Sequence, residues 1–249
     1  MRRRRQERLL SIAAALLMWQ IISMAVGQKL ILVSPAATAV RLGELVLKGD
    51  FWQTVGASFL RIEAGFFLGL FLGAALAVAA AWLPFLEIML WPFMTAVKSV
   101  PVASFIILCL IWLDRSGLSV FISFLMVLPV FYFNVLAGMR SSDTKLLEMA
   151  DVFRIPGFTR FRYLYLPQLR PFLFSACQTA LGISWKAGVA AEVIGIPAGS
   201  IGERLYEAKI YLDTAELFAW TAVVVFTSVL FEKVFMWLLK MAFERLERF

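Results

Sequence analysis

Residues 62–82 read IEAGFFLGLFLGAALAVAAAW, an apolar stretch that contains a single charged residue, Glu63, close to its start. A helix needs about 20 consecutive, mostly apolar residues to cross the hydrocarbon core of a bilayer. The stretch meets that requirement in both length and composition. It therefore predicts a transmembrane helix.

Five further apolar runs accompany this one, at about residues 9–26, 85–113, 118–138, 171–191 and 217–231. Pro92 and Pro101 interrupt the run at 85–113, so that crossing is predicted to be bent. In the whole chain 61% of the residues are hydrophobic and 16% are charged, whereas a soluble domain has roughly 45–50% and about 25%. The predicted fold class is an all-α polytopic membrane protein of about six transmembrane helices, forming one domain over residues 1–249.

Basic residues set the predicted orientation. A cluster of arginines at positions 2–5 and 8 precedes the first run. A secretory signal peptide also begins this way, but its apolar region covers about 7–15 residues and this run is longer. We therefore expect an uncleaved first helix, with both termini and residues 140–170 in the cytoplasm. Most of the 24 Lys and Arg residues then lie inside, Lys98 among them, in agreement with the positive-inside rule.

Two segments outside the runs have their own predicted roles. Residues 28–56 mix charged and apolar residues, which suits an external loop. Residues 232–249 alternate charges with Phe, Trp and Leu, as an interfacial helix does.

The charge and the residue inventory exclude several classes of protein. A net charge of +7 fits nucleic acid or anionic lipid as a partner, but basic cytoplasmic loops account for it, so we expect contact with membrane lipid and none with nucleic acid. The chain has no histidine, and Cys109 and Cys177 both fall within apolar runs. Neither a metal site nor an intramembrane enzyme is predicted.

Small residues recur at a spacing of four on two of the predicted helices. Lipid gives helices no hydrophobic reason to associate, so close backbone approach over small residues has to supply the packing energy. Both ridges are predicted helix contacts; a role as sliding surfaces in a conformational change is the alternative. The ridge residues are Gly65, Gly69, Gly73 and Ala77 in one helix, and Ala176, Ala180, Ser184 and Gly188 in the other.

Residues 140–170 predict a helix–turn–helix element between two transmembrane helices. Asp143 can cap its first helix, whose apolar face is expected to contain Leu146, Leu147, Ala150 and Phe153. Arg154-Ile155-Pro156-Gly157 then breaks that helix. A second helical piece at 158–165 presents Arg160 and Arg162, and Leu166-Pro167 ends it.

This segment resembles a known motif. Glu148-Met149-Ala150, followed by Leu164, Leu166 and Pro167, is similar to the coupling motif of binding-protein-dependent ATP-binding-cassette (ABC) import permeases. That motif reads Glu-Ala-Ala, a glycine four residues after the second alanine, then an aliphatic residue and Leu-Pro. The chain departs from it at Met149, which replaces an alanine, and at Arg154, which replaces the glycine, with Gly157 three residues later.

Three other pieces strengthen the resemblance and extend it over about residues 55–249. They are Arg61 with the glycine ridge, Ser99-Val100-Pro101, and Ala190-Ala191-Glu192-Val193-Ile194-Gly195. Together they resemble the nitrate, sulfonate, taurine and bicarbonate subgroup of these permeases.

The resemblance implies a type I ABC importer permease in the plasma (inner) membrane of a prokaryote. It implies a homodimer, two ATPase subunits and an extracytoplasmic solute-binding protein as partners. ATP and Mg would be cofactors of the ATPase, because this chain has no Gly-x-x-x-x-Gly-Lys-[Ser/Thr] phosphate loop and should hydrolyse no ATP itself. The residues implied for ATPase coupling are Glu148, Ala150, Arg154, Gly157, Arg160, Leu166 and Pro167; a merely solvated charge is the alternative for Glu148.

Charges within the membrane suggest a pathway. Lys186 lies deep in the fifth run beside Trp185, and Glu192 follows near its outer end. A buried charge in a bilayer usually faces a cavity or a partner. We hypothesise that Trp185, Lys186 and Glu192 line a translocation path and that Lys186 attracts an anion. In the alternative, Lys186 pairs with an acid such as Glu63 for packing alone.

Two other functions remain open from the sequence. A membrane scaffold or receptor could use the basic segment to dock a regulator, and a secondary transporter could work on an ion gradient. The solute is not fixed either: an anion is favoured, and a flat aromatic vitamin precursor is the alternative.

Overall fold

The computed structural model describes residues 2–28, 30–141 and 144–247, and within these ranges it contains helices and no β-strand. The predicted all-α class is confirmed. A π-helical turn, Phe161–Tyr165, connects α8 to α9. The helices are α1 (Arg2–Val26), α2 (Pro35–Val46), α3 (Gly49–Trp82), α4 (Pro84–Ser99), α5 (Val102–Cys109), α6 (Arg115–Arg140), α7 (Thr144–Val152), α8 (Gly157–Arg160), α9 (Leu166–Gly195), α10 (Ile201–Ile210) and α11 (Thr214–Glu247).

Three of the described helices, α3, α6 and α11, are long and apolar enough to cross a membrane. A fourth crossing is available if α4 and α5 form one broken span, since they meet at an angle of 103°. This bend agrees with the interruption at Pro101. The apolar part of α1, Leu10–Val26, is shorter, and the count of six crossings stays a prediction.

The centre of the molecule is a three-helix core of α3, α6 and α9. Phe66 of α3, Val127 and Phe131 of α6, and Ala180 of α9 are buried in one apolar cluster. Helix α9 packs lengthwise against these two apolar helices and runs alongside them.

Both ridges of small residues lie in this core. A Cβ atom added to Gly65 would lie 2.3 Å from the Val120 carbonyl oxygen of α6, and one added to Gly73 would lie 2.7 Å from that of Leu128. On α9, a Cβ added to Gly188 would lie 2.6 Å from the Ser123 hydroxyl oxygen. The helices approach so closely that only glycine fits. Gly69, Ala77, Ala176, Ala180 and Ser184 are buried along the same contacts.

The prediction that residues 28–56 form a loop is wrong, because most of this segment is helical. It contains α2, which starts after Ser34, whose hydroxyl accepts a hydrogen bond from the Ala37 N–H, and it also contains the first turns of α3. Arg41 of α2 forms ion pairs with Asp213 (3.1 Å) and Glu216 (2.7 Å) at the start of α11. Hydrogen bonds to Glu44 and Glu216 raise the pKa of Arg41 above its ordinary value. With α10, these elements build one end of the molecule, the α2/α10 end.

The tail at 232–249 also differs from its prediction. Up to Glu247 it continues α11 as one helix of 34 residues, and it forms no separate interfacial helix. Phe235 of this part contacts Phe66 of α3, with 5.3 Å between ring centroids. Packing against the core therefore extends the helix beyond the apolar run.

Candidate functional site

Residues 144–165, which we call the α7–α8 element, lie at the opposite end from α2 and α10. Helix α7 ends in a Schellman-type turn, in which the Ile155 N–H donates to the Ala150 carbonyl (2.9 Å) and the Arg154 N–H to that of Asp151 (3.1 Å). Such a turn needs a left-handed residue, usually glycine, at its penultimate position. Arg154 occupies that position with φ of 51°.

Gly157 does not replace the motif glycine in this geometry. It starts α8 with no positive φ, and a Cβ added to it would contact nothing within 4 Å. The left-handed conformation is thus at Arg154, the position where the motif has glycine. The turn keeps its backbone form although the side chain has changed.

Arg160 holds the two short helices together. Its guanidinium donates to the Asp151 carboxylate at 2.6 Å, and its side chain is largely buried while that of Asp151 is exposed. Leu166 and Pro167 begin α9 and do not end a helix as predicted. The element therefore runs through the π-helical turn into α9 without a break.

The surface of the element carries an apolar patch. Val152, Phe153 and Phe158 are largely exposed, and Glu148 is exposed on α7. Phe153, which is predicted on the same apolar face as Ala150, lies just beyond the end of α7 at Val152, and unlike Ala150 it is exposed. Exposed apolar patches of this kind mark interaction sites.

The opposite side of the element is anchored in the bundle. Ala150 and Tyr165 are buried, and Tyr165 makes an edge-to-face contact with Trp82 at the end of α3, with 6.2 Å between ring centroids. An ion pair between Arg140 and Glu87 joins α6 to α4 nearby. A displacement of the element would consequently act on α9 and on the end of α3. Asp143, the predicted cap of α7, lies outside the described residues.

The structure separates the three predicted pathway residues. Trp185 is buried, and its indole N–H donates to Glu63 at 2.8 Å. Glu63 therefore pairs with Trp185, and the suggested pair with Lys186 is not formed. Lys186 is exposed on α9, and among the described residues it has no hydrogen bond or ion pair.

Glu192 is fully buried and belongs to a polar network that joins α3, α9 and α10. Its Oε2 atom accepts hydrogen bonds from the Ser58 hydroxyl (2.7 Å) and the Gly202 N–H (3.3 Å). The Ser58 hydroxyl in turn accepts the Ile201 N–H at 2.8 Å, and Arg61 lies 3.8 Å from the other carboxylate oxygen. A Cβ on Gly202 would lie 2.3 Å from that of Glu192, so this network fixes α10 directly on α9.

One face of α9 is open and polar. It carries Ser175, Gln178, Thr179 and Lys186, all exposed, at the spacing of successive helical turns. Polar groups at membrane depth are tolerated where they face protein or a water-filled cavity. This face can line a water-filled passage. In the part of the chain that the structure describes, no group of three or more His, Cys, Asp or Glu residues could hold a metal ion.

Lys98, which is predicted to lie among the cytoplasmic cations, is exposed at the end of α4, and its side of the membrane stays a prediction. Its ammonium lies 5.6 Å from the ring centroid of Phe133 in α6. Pro101 predicts the bend that follows Lys98, but the sequence does not show which helices pack against that bend.

The described residues define a helical membrane protein with an anchored helix–turn–helix at one end that exposes apolar side chains. The sequence comparison makes this specific: the chain belongs to the family "binding-protein-dependent transport system inner membrane component", which matches residues 65–248. It is an inner-membrane permease subunit of an ABC importer, and the family works with an ATPase and a solute-binding protein.

Several relatives match most of the chain. A putative aliphatic sulfonates transport permease protein of Bacillus subtilis is 28% identical over 87% of this chain and 78% of its own length. The protein of the same description in Escherichia coli is 30% identical over 79% and 75%. A bicarbonate transport system permease protein of Synechococcus elongatus is 25% identical over 80% and 76%. The predicted subgroup is confirmed.

Proposed function

We propose that the chain works as a homodimeric permease, one domain in each copy, that moves a small anion of the sulfonate, nitrate, taurine or bicarbonate type. Two separate ATPase subunits bind ATP and Mg and hydrolyse the ATP, while a solute-binding protein delivers the solute at the α2/α10 end. The names of the relatives support an anion, since they specify aliphatic sulfonates and bicarbonate. A neutral aromatic vitamin precursor is the competing solute class.

The α7–α8 element is the proposed docking site for the ATPase. The observation that carries this proposal is the exposed apolar patch of Val152, Phe153 and Phe158 on an element anchored by Ala150. Glu148 lies on the same helix and is free to meet a basic group of the ATPase. Arg154, Gly157 and Arg160 set the shape of the turn between the two short helices. Leu166 and Pro167, the first residues of α9, transmit a movement of the element to that helix.

The open face of α9 is the proposed wall of the pathway. Of the three residues suggested by the sequence, Lys186 lies on this face, whereas Trp185 and Glu192 are buried and support it from behind. A lysine facing lipid is costly, by about 2.5–3.5 kcal/mol at the helix centre. A second copy that covers the face and encloses water would remove this cost, which supports the homodimer.

Docking through the element can be tested with two phenylalanines. Phe158 and Phe85 are both near the α7–α8 end and are 76% and 78% exposed, but only Phe158 belongs to the apolar patch. We expect Phe158→Ala to reduce co-purification of the ATPase and solute-stimulated ATP hydrolysis at least about fivefold, because a buried aromatic anchor of an interface contributes upwards of 1 kcal/mol. Phe85→Ala should change neither by more than about twofold.

The same experiment separates the competing functions. Equal behaviour of the two variants would place the docking site elsewhere. Absence of any co-purifying ATPase would favour a scaffold or receptor, and uptake that continues without ATP would favour a secondary transporter.

A further inference from the structure

A partly open pocket of about 260 Å³ lies next to the bend between α4 and α5 and is lined by side chains of α4, α6 and α9. Three of its lining residues are polar: Lys98 of α4, Asn134 of α6 and Thr179 of α9. The remaining walls are apolar and include Pro129 and Ile183. A few convergent polar groups in an apolar pocket are the usual composition of a small-molecule site.

The pocket lies about halfway through the bundle. Met126 and Pro129 are close to the middle of α6 (Arg115–Arg140), and Thr179 is close to the middle of α9 (Leu166–Gly195). Broken helices at this depth are tolerated where they are buried in protein or line a cavity. A solute that crosses the bundle along α6 and α9 would pass this position.

Lys98 has no counter-charge. Among the described residues its ammonium makes no hydrogen bond and no ion pair, and its only specific contact is the face of Phe133, 5.6 Å from the ring centroid. Arg41 and Arg204, by contrast, each lie against a carboxylate. Lys98 is exposed, so its unpaired ammonium is accessible to an anion and attracts it by its charge.

The two other polar groups can donate to the same anion. The Asn134 amide uses one N–H for the Val130 carbonyl of its own helix (2.8 Å) and keeps a second N–H free. In the part of the chain that the structure describes, the Thr179 hydroxyl forms no hydrogen bond. Lys186 lies on the same face of α9 seven residues further on, about 10 Å along the helix axis. A second cation is therefore close to the pocket.

We propose that this pocket binds the oxyanion group of the transported solute, with Lys98 as its counter-charge and Asn134 and Thr179 as hydrogen-bond donors. Sulfonate, nitrate and bicarbonate share the required chemistry: one negative charge spread over several oxygen atoms. The inference rests on the proposed permease function and adds a solute site within the permease itself. It also excludes a neutral aromatic solute.

The electrostatics of the pocket can be measured without knowing the solute. Thr179→Cys, in the complete complex, is labelled with 2-sulfonatoethyl methanethiosulfonate and, separately, with the trimethylammonium reagent of the same size. We expect the ratio of the two labelling rates to fall at least about fivefold when Lys98→Gln is added, since the sulfonate reagent loses a nearby cation. The native thiols, Cys109 and Cys177, are buried and give a low background.

Two controls isolate the pocket. Ile194→Cys is on the same helix, fifteen residues and about 22 Å away, and its ratio should change less than twofold on Lys98→Gln. Lys48→Gln removes an equal charge at the α2/α10 end and should leave the Thr179→Cys ratio unchanged. An unchanged ratio with Lys98→Gln, or equal changes at both cysteines, overturns the proposal.

Transport gives the second measurement. Proteoliposomes with the whole complex are tested for uptake of labelled ethanesulfonate, nitrate and bicarbonate. We expect Lys98→Gln and Thr179→Val to raise the apparent KM at least about fivefold for the anion that is carried, with Lys98→Arg close to the unsubstituted protein and ATPase co-purification unchanged. Uptake with unaltered KM in both loss variants contradicts the pocket alone, whereas loss of the ATPase or of ATP dependence in the unsubstituted complex contradicts the proposed function.

Discussion

Arg154 holds a backbone conformation that glycine adopts most easily. A left-handed conformation costs a residue with a Cβ atom about 1–2 kcal/mol, and the turn after α7 holds Arg154 there with two backbone hydrogen bonds. Its side chain is exposed, so no packing inside the subunit compensates this strain. A contact of the guanidinium outside the subunit, on the proposed ATPase, would compensate it.

Arg154→Gly should therefore stabilise the turn. Glycine loses about 0.5–1 kcal/mol more chain entropy on folding, which leaves a net gain of about 0.5–1 kcal/mol. We expect hydrogen–deuterium exchange of the 144–160 peptide to slow about two- to fivefold, with Arg154→Ala as the control that keeps the Cβ atom and gains nothing. Equal protection in the Gly and Ala variants would contradict a strained turn. A slower exchange combined with weaker ATPase stimulation would assign the guanidinium to the interface.

Single charged residues show what can be predicted from the sequence at the scale of one residue. It identified Lys186, Glu192 and Glu63 as charges within apolar runs, because they interrupt a simple pattern. It could not pair them, since the partner of Glu63 is the indole of Trp185, 122 positions away. The contact between Lys98 and Phe133 could not be predicted either, because it depends on how the end of α4 packs against α6.

Helix α3 offers a matched pair of glycines for testing the ridge. A Cβ on Gly65 would lie 2.3 Å from a carbonyl oxygen of α6, whereas one on Gly56 would meet nothing within 4 Å. Both substitutions to alanine improve helix propensity, by up to about 1 kcal/mol. Overpacking adds a cost of typically about 1–3 kcal/mol at Gly65 alone.

We expect Gly65→Ala to lower the Tm of the detergent-solubilised permease, and Gly56→Ala to leave it unchanged or raise it slightly. The measurement is thermal unfolding monitored by tryptophan fluorescence. If the two variants have the same Tm, the approach of α3 to α6 is looser than the contacts at Gly65, Gly69 and Gly73 indicate.

Elements with a long apolar run were predictable, and the others were not. Helices α3, α6 and α11 follow from hydropathy because lipid selects apolar residues along a whole helix. Helix α2 was missed since twelve residues with one packed side produce no such run. Its N-terminus was visible in Ser34-Pro35, a cap followed by proline at the first turn, a signal that the mixed composition of 28–56 concealed.

Within the α7–α8 element the motif located the functional segment, but tertiary contacts set its form. The Glu148–Ala150 motif gave the position of α7, and Ala150 is buried beneath it. The exposed Phe153 and the continuous entry into α9 depend on the turn at Arg154 and on the contact between Tyr165 and Trp82. Neither follows from helical periodicity.

At the scale of the molecule, α9 connects the two ends. It begins at the π-helical turn of the α7–α8 element and, thirty residues later, holds Glu192 in the network with Ser58 and Gly202. A thirty-residue helix is about 45 Å long, enough to pass through the bilayer. Movement imposed by an ATPase on the α7–α8 element would thus reach α10 through one continuous helix, and the open polar face lies along its length.

This role requires α9 to cross the membrane, although its composition alone does not mark it as a span. Single cysteines at Leu47, Phe158 and Tyr211, all largely exposed, allow a direct test with a membrane-impermeant maleimide on intact cells and on inverted vesicles. Six crossings with a cytoplasmic N-terminus predict labelling of Leu47→Cys and Tyr211→Cys from outside and of Phe158→Cys from inside. Positions 158 and 211 are separated by only one long helix, α9, so they lie on opposite sides of the membrane only if α9 crosses it. If both react from the same side, α9 does not cross, the α7–α8 element and α10 share one face of the membrane, and docking of an ATPase could not be converted into alternating access along this helix.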